Sequence, residues 1–333
     1  MLCFYYAISI LIWATFPVLV PMDDIERIQR RISLHDMRVF ISVVQARSMG
    51  KAAIRLATSQ PAVSRSIAQL EKAIGVRLLE RSPQGIEPTG YGRALLRRGI
   101  AVFDEIAQGV KDVQFLADPT AGELRIGCSI AIGTGFVATI IDRLSRRYPR
   151  IAFQILATDS RFAYQALVDR EVDIALLHLV KPSADDLMQA ETLFHDPQLV
   201  VAGAHHPLTR RRRLKLSDLA NEPWVFPPPD APYGAMVVEA FHAAGLDVPK
   251  AVVTSTLPLR SALLATGRFL SIVPGVVLRF PTPDLSLRRL PVDLPSTSRP
   301  LAFLTLKNRT LNPVAELFRD CAREIAGLRA NDK

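Results

Sequence analysis

Residues Ser48 to Ile67, SMGKAAIRLATSQPAVSRSI, constrain this chain more than any other stretch, because they read as two short helices joined by a tight turn. Ala52, Ala53, Leu56, Val63 and Ile67 fall on helical spacing, so a face of one helix can pack on the other. Ser59, Gln60, Ser64 and Arg65 then point away from that seam. A small helix pair that turns hydroxyl, amide and guanidinium groups outward suits base edges and phosphates.

The neighbouring segments complete a unit. Leu34, Met37, Phe40, Ile41 and Val44 recur at three and four residues, which predicts an amphipathic helix from Ser33 to Ala46 with Ser33 as its cap. Beyond the pair, Arg77 to Arg81, the turn SPQG and Ile86 to Thr89 read as a short hairpin. Three helices and a wing predict a winged helix-turn-helix over 32–89, with Arg81 of the wing in reach of a phosphate or the minor groove. Eight basic residues stand against four acidic ones in this span, so the unit favours a polyanion.

From Gly90 a long helix is predicted over 90–118. Its seam, Leu95, Gly99, Val102, Ile106, Gly109, Val113 and Leu116, alternates steps of four and three. Such a stripe either pairs two copies of the chain or packs an ordinary helix on its own domain. Past Gly122 the texture changes to strands alternating with helices: ELRIGCSI, IAFQILAT and VDIALLHL, then LVVAGA, WVF, AVVTST, FLSIVP and LAFLTL. The expectation is an α/β domain over 121–333 in two lobes, the first at about 121–193 and 268–333 and the second at about 194–267. Ligands bind such sheets in the crevice at the carboxyl ends of strands.

A formal charge of +9 on 333 residues is in keeping with a nucleic-acid partner. Cys3, Cys128 and Cys321 are scattered and form no C-x-x-C pair, which argues against a disulfide framework or zinc finger and fits a reducing cytoplasm. Cys128, beside the expected crevice, reads as a small buried residue and not as a redox sensor. His205 and His206 are adjacent in a loop with no ligand partner at helical spacing, so no metal and no cofactor is expected. Arg210 to Arg213 reads as a solvated turn. No G-x-S-x-G, Walker loop, G-x-G-x-x-G after a strand or H-E-x-x-H occurs, and IGTGF at 132–136 is too short a glycine match to suggest an enzyme.

The opening MLCFYYAISILIWATFPVLVPM carries no charge, is interrupted by Pro17, and is preceded by no positive residue. Residues 1–31 are read as an apolar extension, expected to arise from a start assigned upstream of Met22. The alternative is a membrane anchor, after which Arg27, Arg30 and Arg31 would hold the remainder in the cytoplasm.

From about Ile32 onward the chain resembles a LysR-type transcriptional regulator. The resemblance is carried by SQPAVSRSIAQLEKAIGVRLLERS at Ser59 to Ser82 and PTGYGRALL at Pro88 to Leu96. It implies an α/β protein overall, with an N-terminal all-α winged helix-turn-helix, a long linker helix and a two-lobed periplasmic-binding-protein-like effector domain. The implied partners are double-stranded promoter DNA, a small-molecule effector, RNA polymerase and further copies of the chain as homodimer or homotetramer. Neither an enzyme nor a membrane protein is implied.

Carried over by position, the recognition helix is Gln60 to Ala73, with Ser59, Gln60, Pro61, Ser64 and Arg65 nearest the DNA and Arg81 in the wing. Read from chemistry alone, Gln60 suits adenine, Arg65 suits guanine or a phosphate, Ser59 suits a phosphate or a helix cap, and Pro61 presets the first turn. Three strand-to-helix junctions qualify for an effector, and the resemblance points within them to Ser129, Thr134, Ser160 and Thr256. Each of these hydroxyls is equally suited to capping a helix. Ala131 stands where other members often carry serine or threonine, which weakens the inference of a small carboxylate effector.

Overall fold

The computed structural model describes residues 22–179, 187–254, 256–280, 286–294 and 297–330. The uncharged segment at 1–21 lies outside the described residues, and with it both expectations for that segment. The chain divides between Asp104 and Glu105 into two compact units.

In the first unit, α1 (Met22–Gln29) precedes α2 (Leu34–Ala46), α3 (Met49–Arg55) and α4 (Gln60–Ile74). Serine caps set the last three starts: the Oγ of Ser33, Ser48 and Ser59 accepts the amide of Asp36, Lys51 and Ala62 respectively. Ser33 also donates to the Asp36 carboxylate at 2.6 Å. Met37, Phe40 and Val43 of α2, Ala52 and Ala53 of α3, and Val63, Ile67 and Leu70 of α4 close one apolar core, in which Val43 and Leu70 join the predicted residues while Leu34, expected on the inner face of α2, is exposed. The wing is the antiparallel pair β1 (Leu79–Ser82) and β2 (Gly85–Pro88). Gly85 at its turn has φ +117°, and a Cβ there would lie 2.6 Å from the Arg47 carbonyl, so only glycine fits.

Helix α5 (Gly90–Ala117) runs for 28 residues. Two positions of its expected seam behave differently from the rest. Leu95 packs into the core of the first unit, and Gly99 is buried where a Cβ would meet Met37 Sδ at 2.7 Å. Val102, Ile106, Val113 and Leu116 are exposed, and Val110, which a strict four-three alternation passes over, is exposed with them.

The second unit carries two five-stranded sheets. In the first, β3 (Ala121–Ser129) is parallel to β4 (Arg150–Thr158) and β5 (Ile174–His178), while β12 (Arg299–Leu306) runs antiparallel to β5 and β6 (Met188–Asp196), giving the order β4-β3-β5-β12-β6. Between β3 and β4, Ile130–Ile132, a π-helical turn at Gly133–Val137 and α6 (Ala138–Arg147) follow one another without a break. Helix α7 (Ser160–Val168) joins β4 to β5. The second sheet has the order β11-β7-β10-β8-β9, built from β7 (Gln198–Gly203), β8 (Trp224–Phe226), β9 (Ala251–Val253), β10 (Leu270–Pro274) and β11 (Leu287–Arg289). Helices α8 (Pro232–Ala243) and α9 (Leu257–Ala265) belong with it, α10 (Val276–Arg279) packs on the π-helical turn of the first lobe, where Phe280 lies 5.0 Å from Phe136, and α11 (Pro313–Ala330) follows β12.

This topology corrects the expected lobe boundary at 268. Strands β10 and β11 pair with β7, so the second sheet extends to Arg289 and the chain rejoins the first sheet only with β12, although α10 between β10 and β11 already packs on the first lobe. All five residues of β10 are buried, and a strand without alternation carries no mark of the sheet it joins. The chain therefore crosses between the two sheets at Pro197, and again between Arg289 and Arg299.

Candidate nucleic-acid interface and interlobe site

Helix α4 divides cleanly. Val63, Ser66, Ile67 and Leu70 are buried, whereas Ser59, Gln60, Pro61, Ser64 and Arg65 are all exposed, and so is Arg81 on β1. Pro61 lies in the first turn, where its missing amide has no intrahelical partner to lose. Ser59 spends an acceptor on the Ala62 amide and keeps its hydroxyl proton.

Glu71, on the same helix, is partly buried and spends its carboxylate on backbone amides. Its Oε1 accepts the amides of Leu78 and Leu79 at 2.7 and 3.2 Å, which fixes the start of the wing against the recognition helix. Ile54 on α3 is 82% exposed, an apolar side chain left outside the core of the helix pair.

In the second unit, Ser129 ends β3 level with Thr158 at the end of β4, and Ser160 opens the helix just beyond. Asp159, not Ser160, is the cap of α7, since its carboxylate accepts the Arg161 amide. Thr134 sits in the π-helical turn and donates to the Ala131 carbonyl. Thr256 lies on the second lobe before α9, its hydroxyl 3.1 Å from that of Thr254, and makes no side-chain cap bond. The four residues thus fall at the carboxyl ends of strands in both lobes, three on the first and one on the second.

Ser129 is almost fully buried, and its Oγ lies 2.9 Å from the hydroxyl of Tyr233 in the first turn of α8. The same phenol lies 2.8 Å from His178 Nδ1, and His178 Nε2 lies 2.8 Å from Asp196 Oδ2. With Asp196 as a carboxylate, one run of donors satisfies every atom: Ser129 to Tyr233, Tyr233 to His178 Nδ1, and His178 Nε2 to Asp196. Burial pushes the Tyr233 phenol far above its ordinary value, against the opposing hydrogen bond from Ser129, so the oxygen stays protonated and neutral. Asp196 ends β6 one residue before the crossing at Pro197, and a Cβ on Gly275 would meet its Oδ1 at 2.7 Å. A second-lobe tyrosine is therefore bonded to first-lobe residues beside the hinge.

Sequence reasoning does not reach Tyr233, His178, Asp196 or Arg260. Arg260 sits one turn into α9, half-buried, with its Nε sealed and without an acceptor among the described residues. Only weak marks point to these residues: a histidine closing an otherwise apolar strand, and a tyrosine directly after the proline that starts a helix.

Cys128 is fully buried, and burial pushes its thiol up to about 12, which disfavours the thiolate. Arg210 to Arg213 are exposed, and His206 uses Nδ1 to accept the Leu208 amide. Among the described residues no cluster of three His, Cys, Asp or Glu can hold a metal ion, and no helix is long and apolar enough to cross a membrane.

A winged reading head and a two-lobed binding domain on one chain define a class: DNA-binding regulators that answer to a small molecule. Comparison with known proteins gives the family. The LysR substrate binding domain matches residues 117–327, and the bacterial regulatory helix-turn-helix protein, lysR family, matches residues 34–93. The chain belongs to the LysR family and is a DNA-binding transcriptional regulator whose activity is modulated by an effector. It is similar to the HTH-type transcriptional regulator YybE of Bacillus subtilis (strain 168), itself uncharacterized, at 28% identity over 85% of this chain and 95% of that protein. Among solved structures it is similar to a full-length OxyR variant from Pseudomonas aeruginosa, with a TM-score of 0.64 at 21% identity over 88% of this chain and 95% of that one. It is also similar to full-length CbnR complexed with its target DNA, with a TM-score of 0.61 at 20% identity over 88% of this chain and 100% of the other.

Proposed function

We propose that this regulator is a cytoplasmic, non-enzymatic protein that binds promoter DNA as a homodimer or homotetramer and acts on RNA polymerase. Its reading head spans 32–89, its linker 90–118 and its effector domain 121 onward. Ser59, Gln60, Pro61, Ser64, Arg65 and Arg81 form the DNA-facing set. Ser129, Thr134, Ser160 and Thr256 line the effector site between the lobes.

The observation that carries the reading is the two-sided character of α4, whose buried stripe leaves Gln60, Ser64 and Arg65 exposed in a row on a rigid helix. Oligomerisation is supported by exposed apolar side chains along the last turns of α5, Val102 to Leu116, and by Ile155, Leu156 and Phe162 on one lobe and Val252, Val253 and Leu259 on the other. Communication is supported by the docking of the end of α5 on the first lobe. Gln108 donates to Asp173 and accepts from Asn312, so the end of the linker moves with the effector domain.

The test is binding to labelled DNA from the gene's own upstream region at physiological salt, with unrelated DNA as competitor. Selective binding with a footprint longer than one helical turn supports an oligomeric regulator. Arg65→Ala should cost about 1–3 kcal/mol of selective binding if Arg65 reads a base, and should weaken all sequences alike if it holds a phosphate. Unchanged binding on both substrates removes Arg65 from the interface.

A further inference from the structure

We propose that the effector of this protein is an anion, bearing a carboxylate or phosphate group, and that Arg260 is the side chain that binds it. The proposal rests on the reading that the effector occupies the interlobe site, and adds the ligand's chemistry and a specificity-determining residue.

The argument starts from how the effector domain treats its other withdrawn arginines. Arg309 is held by Asp173 and the Val172 carbonyl, Arg125 by Asp173, Arg170 by Glu105, Arg299 by Glu239, and Arg279 by the Ala326 carbonyl. Each cation drawn away from water has been given an oxygen. Arg260 departs from this rule: its Nε is sealed from solvent, as are those of Arg299 and Arg309, but those two are held through their Nη atoms while no atom of the Arg260 guanidinium has an acceptor among the described residues. A guanidinium withdrawn from water and left without an acceptor is costly, and a fold that pairs five others has a use for the exception. Burial also depresses this guanidinium below its ordinary value, an effect the neighbouring Tyr233 opposes.

Its place gives the use. Arg260 stands four residues after Thr256 on α9, so both lie on one face of the helix, with the Thr254 and Thr256 hydroxyls paired beside it. Its electrostatic neighbour is Tyr233, the phenol bonded to Ser129 and His178 of the first lobe. The carboxylate in that relay, Asp196, is already bonded to His178. The cation therefore sits at the lobe junction among hydroxyl groups and short of one acceptor. A guanidinium presents its donors in a planar fork that matches carboxylate and phosphate oxygens. The hydroxyl that Ala131 does not provide on the first lobe is thus made up by a charge on the second.

The experiment is a thermal melt of the full-length protein at constant ionic strength. The probes are inorganic phosphate, acetate, succinate and benzoate, and the neutral arm is acetamide, succinamide and benzamide. Wild type is compared with Arg260→Met, Arg260→Gln and Ser129→Ala. The expected result has two parts. Arg260→Met melts at or above the wild-type temperature without ligand, because an unpartnered cation has been removed. At least one anion stabilises wild type where its amide does not, and its half-saturating concentration rises at least tenfold in both Arg260 variants. Phosphate alone or a carboxylate alone giving the shift tells the two anion sources apart.

A lower melting temperature in both Arg260 variants, with or without anions, makes the residue a structural cation and overturns the proposal. So does anion stabilisation that persists unchanged in both. An amide that stabilises wild type, and loses that effect in Ser129→Ala, overturns the anion while leaving the interlobe site in place. Stabilisation indifferent to both Arg260 and Ser129 overturns the interlobe reading itself.

Discussion

Asp173 and Arg309 face each other at 2.7 Å with side chains only 2% and 1% exposed, and the same carboxylate gathers Arg125, Gln108 and Lys111 around it. Asp173 precedes β5, Arg309 follows β12, and Gln108 and Lys111 lie on α5, so one carboxylate joins the linker's end to two strands of the first sheet. Removing one member of a buried ion pair leaves the others uncompensated, typically at about 3–5 kcal/mol. Asp173→Asn is expected to lower stability by about that amount in a urea melt. A change within about 0.5 kcal/mol would make the cluster a surface-like network of little weight.

The same residue gives a pH dependence. Burial alone would raise the Asp173 carboxyl, but hydrogen bonds from Arg125 and the charges of Arg309 and Arg125 outweigh it and hold it below its ordinary value. A carboxyl lowered on folding contributes stability that is full above its unfolded value, about 4, and is lost as pH falls through the lower folded value. The effector unit should therefore lose stability below about pH 4, and Asp173→Asn should show a shallower loss over that range. Parallel curves for the two proteins, from melts between about pH 2.5 and 6, would assign the acid sensitivity to other groups.

The exposed stripe on α5 predicts an interface. Ile106 is 45% exposed in the single chain, so a polar residue there leaves the fold intact. Burying an isoleucine contributes about 1.5–3 kcal/mol. Two copies facing each other make Ile106→Glu weaken association by roughly 100-fold or more. Sedimentation should shift to the monomer with an unchanged circular dichroism spectrum. An unchanged sedimentation profile would place the interface elsewhere.

Glu71 separates an electrostatic role from a positional one. As a mere acid in a basic head, its removal would strengthen DNA binding. As the acceptor of the Leu78 and Leu79 amides, its removal leaves two donors unpaired and the wing loose, at about 1–3 kcal/mol. Glu71→Ala is expected to weaken DNA binding and lower the melting temperature, with Glu71→Gln recovering most of both. Tighter binding of Glu71→Ala would show the charge to matter more than the contact.

What is legible in the sequence follows a physical division. The helices of the reading head can be read because their burial is one-sided: Val63, Ile67 and Leu70 mark the inner face of α4 and leave Ser64 and Arg65 outside. Elements buried on both faces lose that signal, which is why β10 reads as part of the wrong lobe. Glycine hides two further features. Gly133 and Gly135 carry poor helix propensity, so the helical turns from Ile130 leave little trace in the sequence, and Gly99 reads as part of a pairing seam although it makes room for Met37. The interlobe relay is beyond reach for another reason, since Tyr233 and Ser129 are 104 residues apart and neither belongs to a local motif.

That relay makes the last prediction. Tyr233→Phe keeps the ring that packs edge-on to His178 and removes only the hydroxyl shared by Ser129 and His178. Both partners are buried, so His178 Nδ1 loses its donor and the Ser129 proton its acceptor, at about 1–3 kcal/mol. Because the phenol comes from one lobe and its partners from the other, the loss should act on the lobe junction more than on either core. Amide hydrogen exchange should quicken at the ends of β3 and β5 and at the start of α8, while the inner strands of both sheets keep their protection. A Tyr233→Phe protein as stable as wild type, with unchanged exchange at those three ends, would reduce the tyrosine to a packing residue and leave the lobes held by their apolar contacts alone.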